Sequence, residues 1–472
     1  MSQQRKVEKT GLLWALLALV QLTRAQQSPF TNCKYAERGS LTAICTNATV
    51  STFHATIYNF DHLDETLICS GCTLTHLITG TFDIGGNRIQ VLDLANSAIE
   101  TIEAHAFTGL IFMEKLYLSN NSIHHLERGA FHGARKVKKL YMNQALTAPL
   151  PPFVFHGLLL LTDLLLQNNS LPLLETQTFE GLPNLRNLDL RFNSLRELNN
   201  SLNSLRNLEV LLLSNNQLAK ISPTDLHGLS KLLKVDLSHN FISTLNLNLG
   251  QPNSLKKLNL SNSHVGSDLI KLGVFHGLYS LEILDLSLNW IVTLPKQVFQ
   301  ELHSLREAIL SHNALTEFAT GSFSGLPYLR FINVSHNKIK RAFITGKLQL
   351  HNLQVLDLST NNMVDFDLLA FLRQAPLISK VDLRDNMISC PKLRRITTGF
   401  KNSSVQAATD PMNCSELDAG EEDELLKEIS EELNNVPTSK TGIIALKITM
   451  LLVVIVLIGL LVYVQFFILN RR

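Results

Sequence analysis

One eleven-residue pattern, Leu-x-x-Leu-x-Leu-x-x-Asn-x-Leu, recurs along most of this 472-residue chain, with clear copies at Leu185–Leu195, Leu208–Leu218, Leu281–Ile291, Leu305–Leu315 and Leu353–Met363. A unit this short cannot bury its apolar face alone, so copies must stack on one another into a solenoid with capped ends. The fourth position recurs as Leu92, Leu116, Leu140, Leu164, Leu188, Leu211, Val235, Leu258, Leu284, Ala308, Ile332, Leu356 and Val381, at steps of 23 to 26 residues, mostly 24. A degenerate unit around Leu67, with Cys69 and Cys72 at its sixth and ninth positions, is expected to precede them.

The local physics follows from the pattern. Alternate residues of a strand face opposite sides, so each x-Leu-x-Leu segment predicts a short strand with its leucines inward and its neighbours in a continuing sheet. A ninth-position Asn can turn the chain and satisfy backbone groups that the turn leaves unpaired. A second register, Phe107, Phe131, Phe155 and Phe179, then Phe275, Phe299 and Phe323, also steps by 24. These rings are expected to stack behind the strands.

Positions two, three, five, seven and eight are left to project from the sheet. At the fifth position Tyr117, Tyr141 and Leu165 fall on successive units, flanked by Lys115, Lys139 and Asp163 and extended by Arg186, Arg191 and Phe192. Neighbouring strands lie about 4.8 Å apart, so these residues predict one stripe of the aromatic and Arg type that anchors protein interfaces. Asn-x-Ser/Thr sequons stand at Asn47, Asn120, Asn168, Asn199, Asn259, Asn333, Asn402 and Asn413. Glycans on Asn259 and Asn333 would cover the C-terminal half of the same face and leave a ligand the half carrying the tyrosines.

The triplets Ser238-His239-Asn240, Ser311-His312-Asn313 and Ser335-His336-Asn337 sit at one turn of the repeat. No Asp is placed to orient the His as a nucleophilic triad requires. No phosphate loop, zinc-protease motif or nucleophile elbow is present. The reading is a binding protein and not an enzyme, with no cofactor and no metal. His312 and His336, as strand neighbours, are expected to give at most a weak pH response.

The ends place the chain. Arg5, Lys6 and Lys9 precede an apolar run Leu12–Val20 and small residues Thr23 and Ala25, the order of a signal peptide over 1–25. Ile448–Leu469 is long and apolar enough to span a bilayer, and Arg471 and Arg472 after it predict a cytosolic tail 470–472. The expectation is a type I single-pass plasma-membrane protein with an extracellular ectodomain. A glycolipid anchor attached at Asn434-Asn435-Val436 is the alternative. Six cysteines, Cys33, Cys45, Cys69, Cys72, Cys390 and Cys414, then face an oxidising lumen and are expected in disulfides. Cys390–Cys414 is the simple pairing at one end. The other four allow three pairings, of which Cys33–Cys45 with Cys69–Cys72 is favoured. Net charge is +2, which points to no nucleic-acid partner. The expected segments are the signal peptide 1–25, a Cys cap with a degenerate first repeat 26–72, the array 73–389, a second Cys cap 390–414, an acidic stalk 415–442, a membrane helix 443–469 and the tail. In the stalk, seven acids between Glu421 and Glu432 surround Leu425, Leu426, Ile429 and Leu433, spaced for one helical face. A solvated spacer is the favoured reading and a dimerising helix, giving a homodimer, the other.

From Cys33 to Cys414 this pattern resembles the extracellular leucine-rich-repeat superfamily of adhesion receptors, Toll-like receptor ectodomains and insect immune repeat proteins. The resemblance implies an α/β solenoid, a right-handed horseshoe with a parallel concave sheet and Cys-containing caps. Function is weakly specified, because the superfamily shares a scaffold and not a ligand. A Toll-type receptor carries a cytosolic signalling domain, for which the expected tail has no room. The partner is therefore expected to be an extracellular protein ligand or a co-receptor, and the alternative function is innate-immune recognition of a microbial product or immune factor.

Overall fold

The computed structural model describes residues 33–35, 41–53, 64–83, 86–222, 224–247, 254–344, 350–402 and 405–408. The expected signal peptide, stalk, apolar run and tail lie outside the described residues, as do Asn413 and Cys414. Among the described residues no helix is long and apolar enough to cross a membrane. The chain divides into two compact units. The first runs to Asn289 without Ile270–Leu272, and the second takes Ile270–Leu272 with the residues from Trp290 onward.

In the first unit, β1 (Cys33–Tyr35) pairs antiparallel with β2 (Thr42–Thr46). From β2 every pairing is parallel, through β3 (Thr66–Ser70), β4 (Val91–Asp93), β5 (Lys115–Tyr117) and β6 (Lys139–Tyr141). The sheet continues through β7 (Asp163–Leu165), β8 (Asn187–Asp189), β9 (Val210–Leu212), β10 (Lys234–Asp236), β11 (Lys257–Asn259) and β12 (Ile283–Asp285). The second unit repeats the arrangement with β13 (Glu307–Ile309), β14 (Phe331–Asn333), β15 (Val355–Asp357), β16 (Lys380–Asp382) and β17 (Gln406–Ala408). Each three-residue strand from β4 to β16 has a fourth-position residue at its centre, and all thirteen are at most 1% exposed. The inward leucine therefore sets the register of every strand.

Two strands extend the thirteen expected repeats and their degenerate leader. Ala43 is aligned with Leu67 in β2, and Ala407 with Val381 in β17. The N-terminal disulfides are Cys33–Cys45 and Cys69–Cys72, the favoured pairing. Cys45 and Cys69 are register partners on adjacent strands, both buried. Cys390 is also disulfide-bonded.

Behind the first-unit sheet the phenylalanines form a ladder longer than the 24-residue spacing suggests. Phe82, Phe107, Phe131, Phe155 and Phe179 stack in sequence at 5.8, 5.8, 5.9 and 6.0 Å, and Phe53 joins Phe82 at 5.3 Å. In the second unit Phe299 and Phe323 continue the motif at 5.5 Å. Offset stacking adds to the area each ring buries.

The ninth-position asparagines form a second, polar ladder. Asn193 Oδ1 accepts from the backbone N–H of Asn169 and Leu171, while its Nδ2 donates to the carbonyls of Leu166 and Leu190. Asn121, Asn216, Asn240 and Asn289 in the first unit and Asn337 and Asn361 in the second donate to the sixth-position carbonyls of their own and the preceding repeat. Buried turn groups that no neighbouring strand can reach are thus paired.

The α/β expectation is corrected in its α part. The return segments after each phenylalanine are turns, and the described helices are α1 (Val50–Phe53), α2 (Leu368–Gln374) and α3 (Cys390–Asn402), with a 3₁₀ turn at Thr320–Phe323. A return such as Phe107–Met113 has too few residues for a stable helix, and Gly109, Gly133, Gly157 and Gly181 break it at φ of +99°, +100°, +105° and +87°. A Cβ on Gly109 would also lie 2.7 Å from the Phe82 carbonyl oxygen. Gly109→Ala is therefore expected to cost about 2–4 kcal/mol in chemical denaturation. Gly228→Ala, at φ +83° with open space around the added carbon, should cost only about 1–2 kcal/mol. Equal losses at both sites would contradict the close approach.

Candidate functional site

The fifth-position side chains divide into two chemical classes with different geometry. Where the residue is Asp or Asn, its Oδ1 accepts the backbone N–H two residues on. Asp93, Asp189, Asp236, Asn259 and Asp285 do so in the first unit at 2.9–3.1 Å. Asn333, Asp357 and Asp382 do so in the second at 2.9–3.2 Å. These side chains close the turn after the strand as Asx caps. Tyr117, Tyr141 and Leu165, on the neighbouring strands β5, β6 and β7, cannot make that bond.

Two of those three residues meet instead. The Tyr117 and Tyr141 rings stack at 4.3 Å with 6° between planes, half-exposed on the sheet face. Burial, then the Tyr141 phenol beside it, pushes the Tyr117 hydroxyl above its usual pKa, so it stays protonated as a donor at neutral pH. Leu165 is half-exposed at the next register position.

Three further features at this place run against local stability. The side-chain oxygens of Asn143 and Gln167, two residues beyond Tyr141 and Leu165, are buried without a hydrogen-bond partner among the described residues. Each such group typically costs about 1–3 kcal/mol. Phe192 on the following repeat is 49% exposed and holds a left-handed φ of +54°. Asn fills that eighth position in most first-unit repeats, at Asn96, Asn120, Asn168, Asn215 and Asn262, as φ near +55° favours. Local rules broken together at one surface patch are a mark of function.

The charged residues expected around the stripe are mostly engaged with one another. Lys139 Nζ lies 3.8 Å from Asp163, whose other oxygen accepts from Asn187 Nδ2 at 2.6 Å. Arg186 pairs with Glu209 at 3.3 Å. Arg191 folds onto Asp189 with Nε and Nη2 at 3.0 and 2.7 Å, a bidentate clamp that raises its pKa further. Lys115 is exposed beside Tyr117. The apolar centre thus carries a rim of paired charge.

The recurrent Ser-His-Asn triplets have another use for the hydroxyl. Ser238 Oγ donates to Asp236 at 2.7 Å and Ser335 Oγ to Asn333 at 2.8 Å, so each serves the turn and not the following imidazole. His312 and His336 stack face to face at 4.1 Å. Burial and then the His336 charge hold the His312 pKa below its usual value. A depressed folded pKa favours the neutral ring, so this stabilisation is present above about pH 6.5 and is lost as pH falls through the lowered value. The melting temperature of wild type should fall more between neutral and mildly acidic pH than that of His312→Gln. Parallel pH profiles would contradict the coupling.

Among the sequons, Asn47, Asn120 and Asn168 are exposed, whereas Asn259 and Asn333 are half-buried at strand ends. Asn199 is half-buried with its Nδ2 donating to the Leu174 carbonyl at 3.3 Å. Asn402 closes α3, and its side chain lies outside the described residues.

A family model described as "Leucine rich repeat" matches residues 87–145, 148–195, 206–265 and 253–315. An uncharacterised leucine-rich repeat-containing protein of Schizosaccharomyces pombe is 38% identical over 99 residues, 21% of this chain and 15% of that protein. Toll-like receptor 3 of Bos taurus is 35% identical over 101 residues, 21% of this chain and 11% of the receptor. The chain therefore spans only a small part of these relatives' length. The solved LRIM1/APL1C complex contains a chain of the same fold, with a TM-score of 0.53 at 19% identity, covering 86% of this chain and 76% of that one. Inward apolar residues at the strand centres, a ladder of turn asparagines and the matching family model together show leucine-rich repeats in this chain, and part of its sequence is similar to Toll-like receptor 3.

Proposed function

We propose that the chain is a cell-surface recognition protein whose first-unit sheet binds an extracellular protein partner through a patch centred on Tyr117 and Tyr141. The observation that carries this reading is the replacement of the turn-capping side chain by an apolar one on three successive strands, with two of the rings stacked and half-exposed. Evenly capped repeats would suffice for the scaffold. Stacked tyrosines with Phe192, Lys115 and Arg186 around them fit the aromatic centre and charged rim of a protein interface. Cell-surface display belongs to the same proposal, with 443–469 as the membrane anchor and the repeats outside. So does glycosylation at Asn47, Asn120, Asn168, Asn199, Asn259, Asn333 and Asn402. A relative named as a receptor and a structural neighbour solved as a two-protein complex support recognition over catalysis.

The similarity to Toll-like receptor 3 favours one second reading, an innate-immune recognition protein that presents a microbial product or immune factor to a separate signalling chain. Adhesion predicts that cells displaying the chain aggregate or bind a partner cell. Co-reception predicts a stable complex with a signalling receptor and little aggregation. In either case Tyr117→Ala with Tyr141→Ala should weaken partner binding about 100-fold or more, the effect of losing two central interface residues, while surface display stays normal. Unchanged binding by a well-folded double mutant would sink the assignment.

A further inference from the structure

The second unit carries a cleft of about 800 Å³ bounded by Arg341–Phe343, the turn 364–367, α2 and α3. Its lining is sharply divided. Arg341, Arg373, Lys392 and Arg395 supply four cations at the rim, all exposed. Exposed Phe343 and Val364 line it too, and buried Leu368 and Ile396 lie beneath. The two carboxylates present are already used. Asp365 pairs with Lys392 at 3.0 Å, and Asp367 caps α2 through the Ala370 N–H at 3.0 Å. Among the described residues Arg341, Arg373 and Arg395 have no ion-pair partner. The walls are held close, since a Cβ on Gly399 of α3 would lie 2.5 Å from Leu368 of α2.

Cations around an apolar floor select a ligand that is both acidic and amphipathic. A simple anion would leave the floor exposed, and an apolar peptide would leave three guanidinium groups facing no charge. The chain itself contains one segment of the required chemistry. Between Glu421 and Leu433 stand seven acids and a single lysine, interleaved with Leu425, Leu426, Ile429 and Leu433.

The segment is also within reach. The last described strand, β17, ends at Ala408, and α3, which forms one wall of the cleft, packs against β17. Glu421 follows thirteen residues later, and a chain of that length spans at most about 45 Å. A tether this short raises the local concentration of its end to the millimolar range. Weak pairs at an exposed rim then suffice for occupancy.

We propose that this cleft is a docking site for an acidic amphipathic peptide, and that its occupant is the chain's own segment Glu421–Leu433. The docked segment straps the C-terminal cap and leaves nine residues before the expected membrane helix 443–469. An external acidic partner gains the cleft only by displacing it. This inference is independent of the tyrosine patch and stands or falls separately from it.

The test uses the full chain with a zero-length carbodiimide cross-linker, which joins lysine amines to carboxylates in contact, read by mass spectrometry. Links from Lys392 to acids within Glu421–Glu432 are expected, and raising the ionic strength should reduce them because exposed pairs are screened. Arg341→Glu with Arg373→Glu and Arg395→Glu should cut the yield about tenfold. A second variant leaves the folded cleft untouched, with Glu421, Glu422, Glu424 and Glu428 each changed to Gln. It should lose the links and newly bind a labelled synthetic peptide of residues 419–435, which the wild-type chain excludes. Absence of the links in the wild-type chain, or failure of the neutralised chain to bind the peptide, would overturn the proposal. Equal binding of a sulfated polysaccharide by the wild-type and neutralised chains would also overturn it, assigning the cleft to an external polyanion.

Discussion

Replacing Phe131 with alanine is expected to destabilise the first unit by about 3–5 kcal/mol, the range for deleting a fully buried aromatic ring. Phe131 has no exposed surface and lies between Phe107 at 5.8 Å and Phe155 at 5.9 Å. Its neighbours cannot move in to fill the space, because each is fixed in turn by the next ring and by a strand whose register an inward leucine sets. The cavity term should therefore persist and hold the cost near the top of the range. For a unit of this size the melting temperature should fall by about 10 °C. Phe131→Leu, which keeps most of the volume, should lose less than half as much. A loss under 1 kcal/mol for the alanine variant would show that the stack is incidental to the fold.

The second large effect concerns hydrogen bonds. Asn193→Ala removes the acceptor of the Asn169 and Leu171 N–H groups and one of the donors to the Leu166 and Leu190 carbonyls. The two losses are unequal. Leu166 still receives a bond from Asn169 Nδ2 at 2.7 Å, and Leu190 one from Asn216 Nδ2 at 2.9 Å. The two buried N–H groups have no such second partner. At about 1–3 kcal/mol for each orphaned group, the expected cost is about 2–4 kcal/mol by denaturant unfolding. Amide exchange should quicken at Asn169 and Leu171 before it does elsewhere in the unit.

One repeat shows how the chain tolerates a gap in the ladder. Its ninth position is Ala145, and the Ile123 N–H there bonds the Ala145 backbone carbonyl at 2.7 Å instead of a side chain. A backbone already bent in that way is absent around Asn193, where the same residue type would leave the donors unmet. If Asn193→Ala were as stable as wild type, the backbone would have adopted the Ala145 arrangement, and the ladder would be dispensable.

Much of this architecture is legible in the residues. Leu92 through Val381 mark thirteen strand centres because a buried leucine recurring at one spacing has no other stable placement. The edges of the array are harder to see. Ala43 and Ala407 stand where leucine marks most of the other strands, so β2 and β17 leave little apolar signal. Phe53 and Phe82 belong to the ring ladder, but steps of 29 and 25 residues obscure the period.

The patch was legible only in outline. Tyr117, Tyr141 and Leu165 follow from the register. That Asp163 and Arg191 are committed to Asn187 and Asp189 does not, because side-chain pairing across strands depends on rotamers that a pattern does not record. The buried, unpartnered side-chain oxygens of Asn143 and Gln167 were equally invisible. Their signal is the absence of a capping Asp two residues earlier, which has meaning only once the capping bond has been seen in the other repeats.

The central claim is that the first-unit sheet recognises a protein through Tyr117 and Tyr141. The most direct measurement is a binding screen of the full chain displayed on cells, wild type and Tyr117→Ala/Tyr141→Ala in parallel, against extracellular proteins and microbial surface polymers. The account predicts capture of a protein by the wild type and a loss of about 100-fold or more in the double mutant at equal surface display. Equal capture by both chains, or capture of a microbial polymer alone, would contradict it.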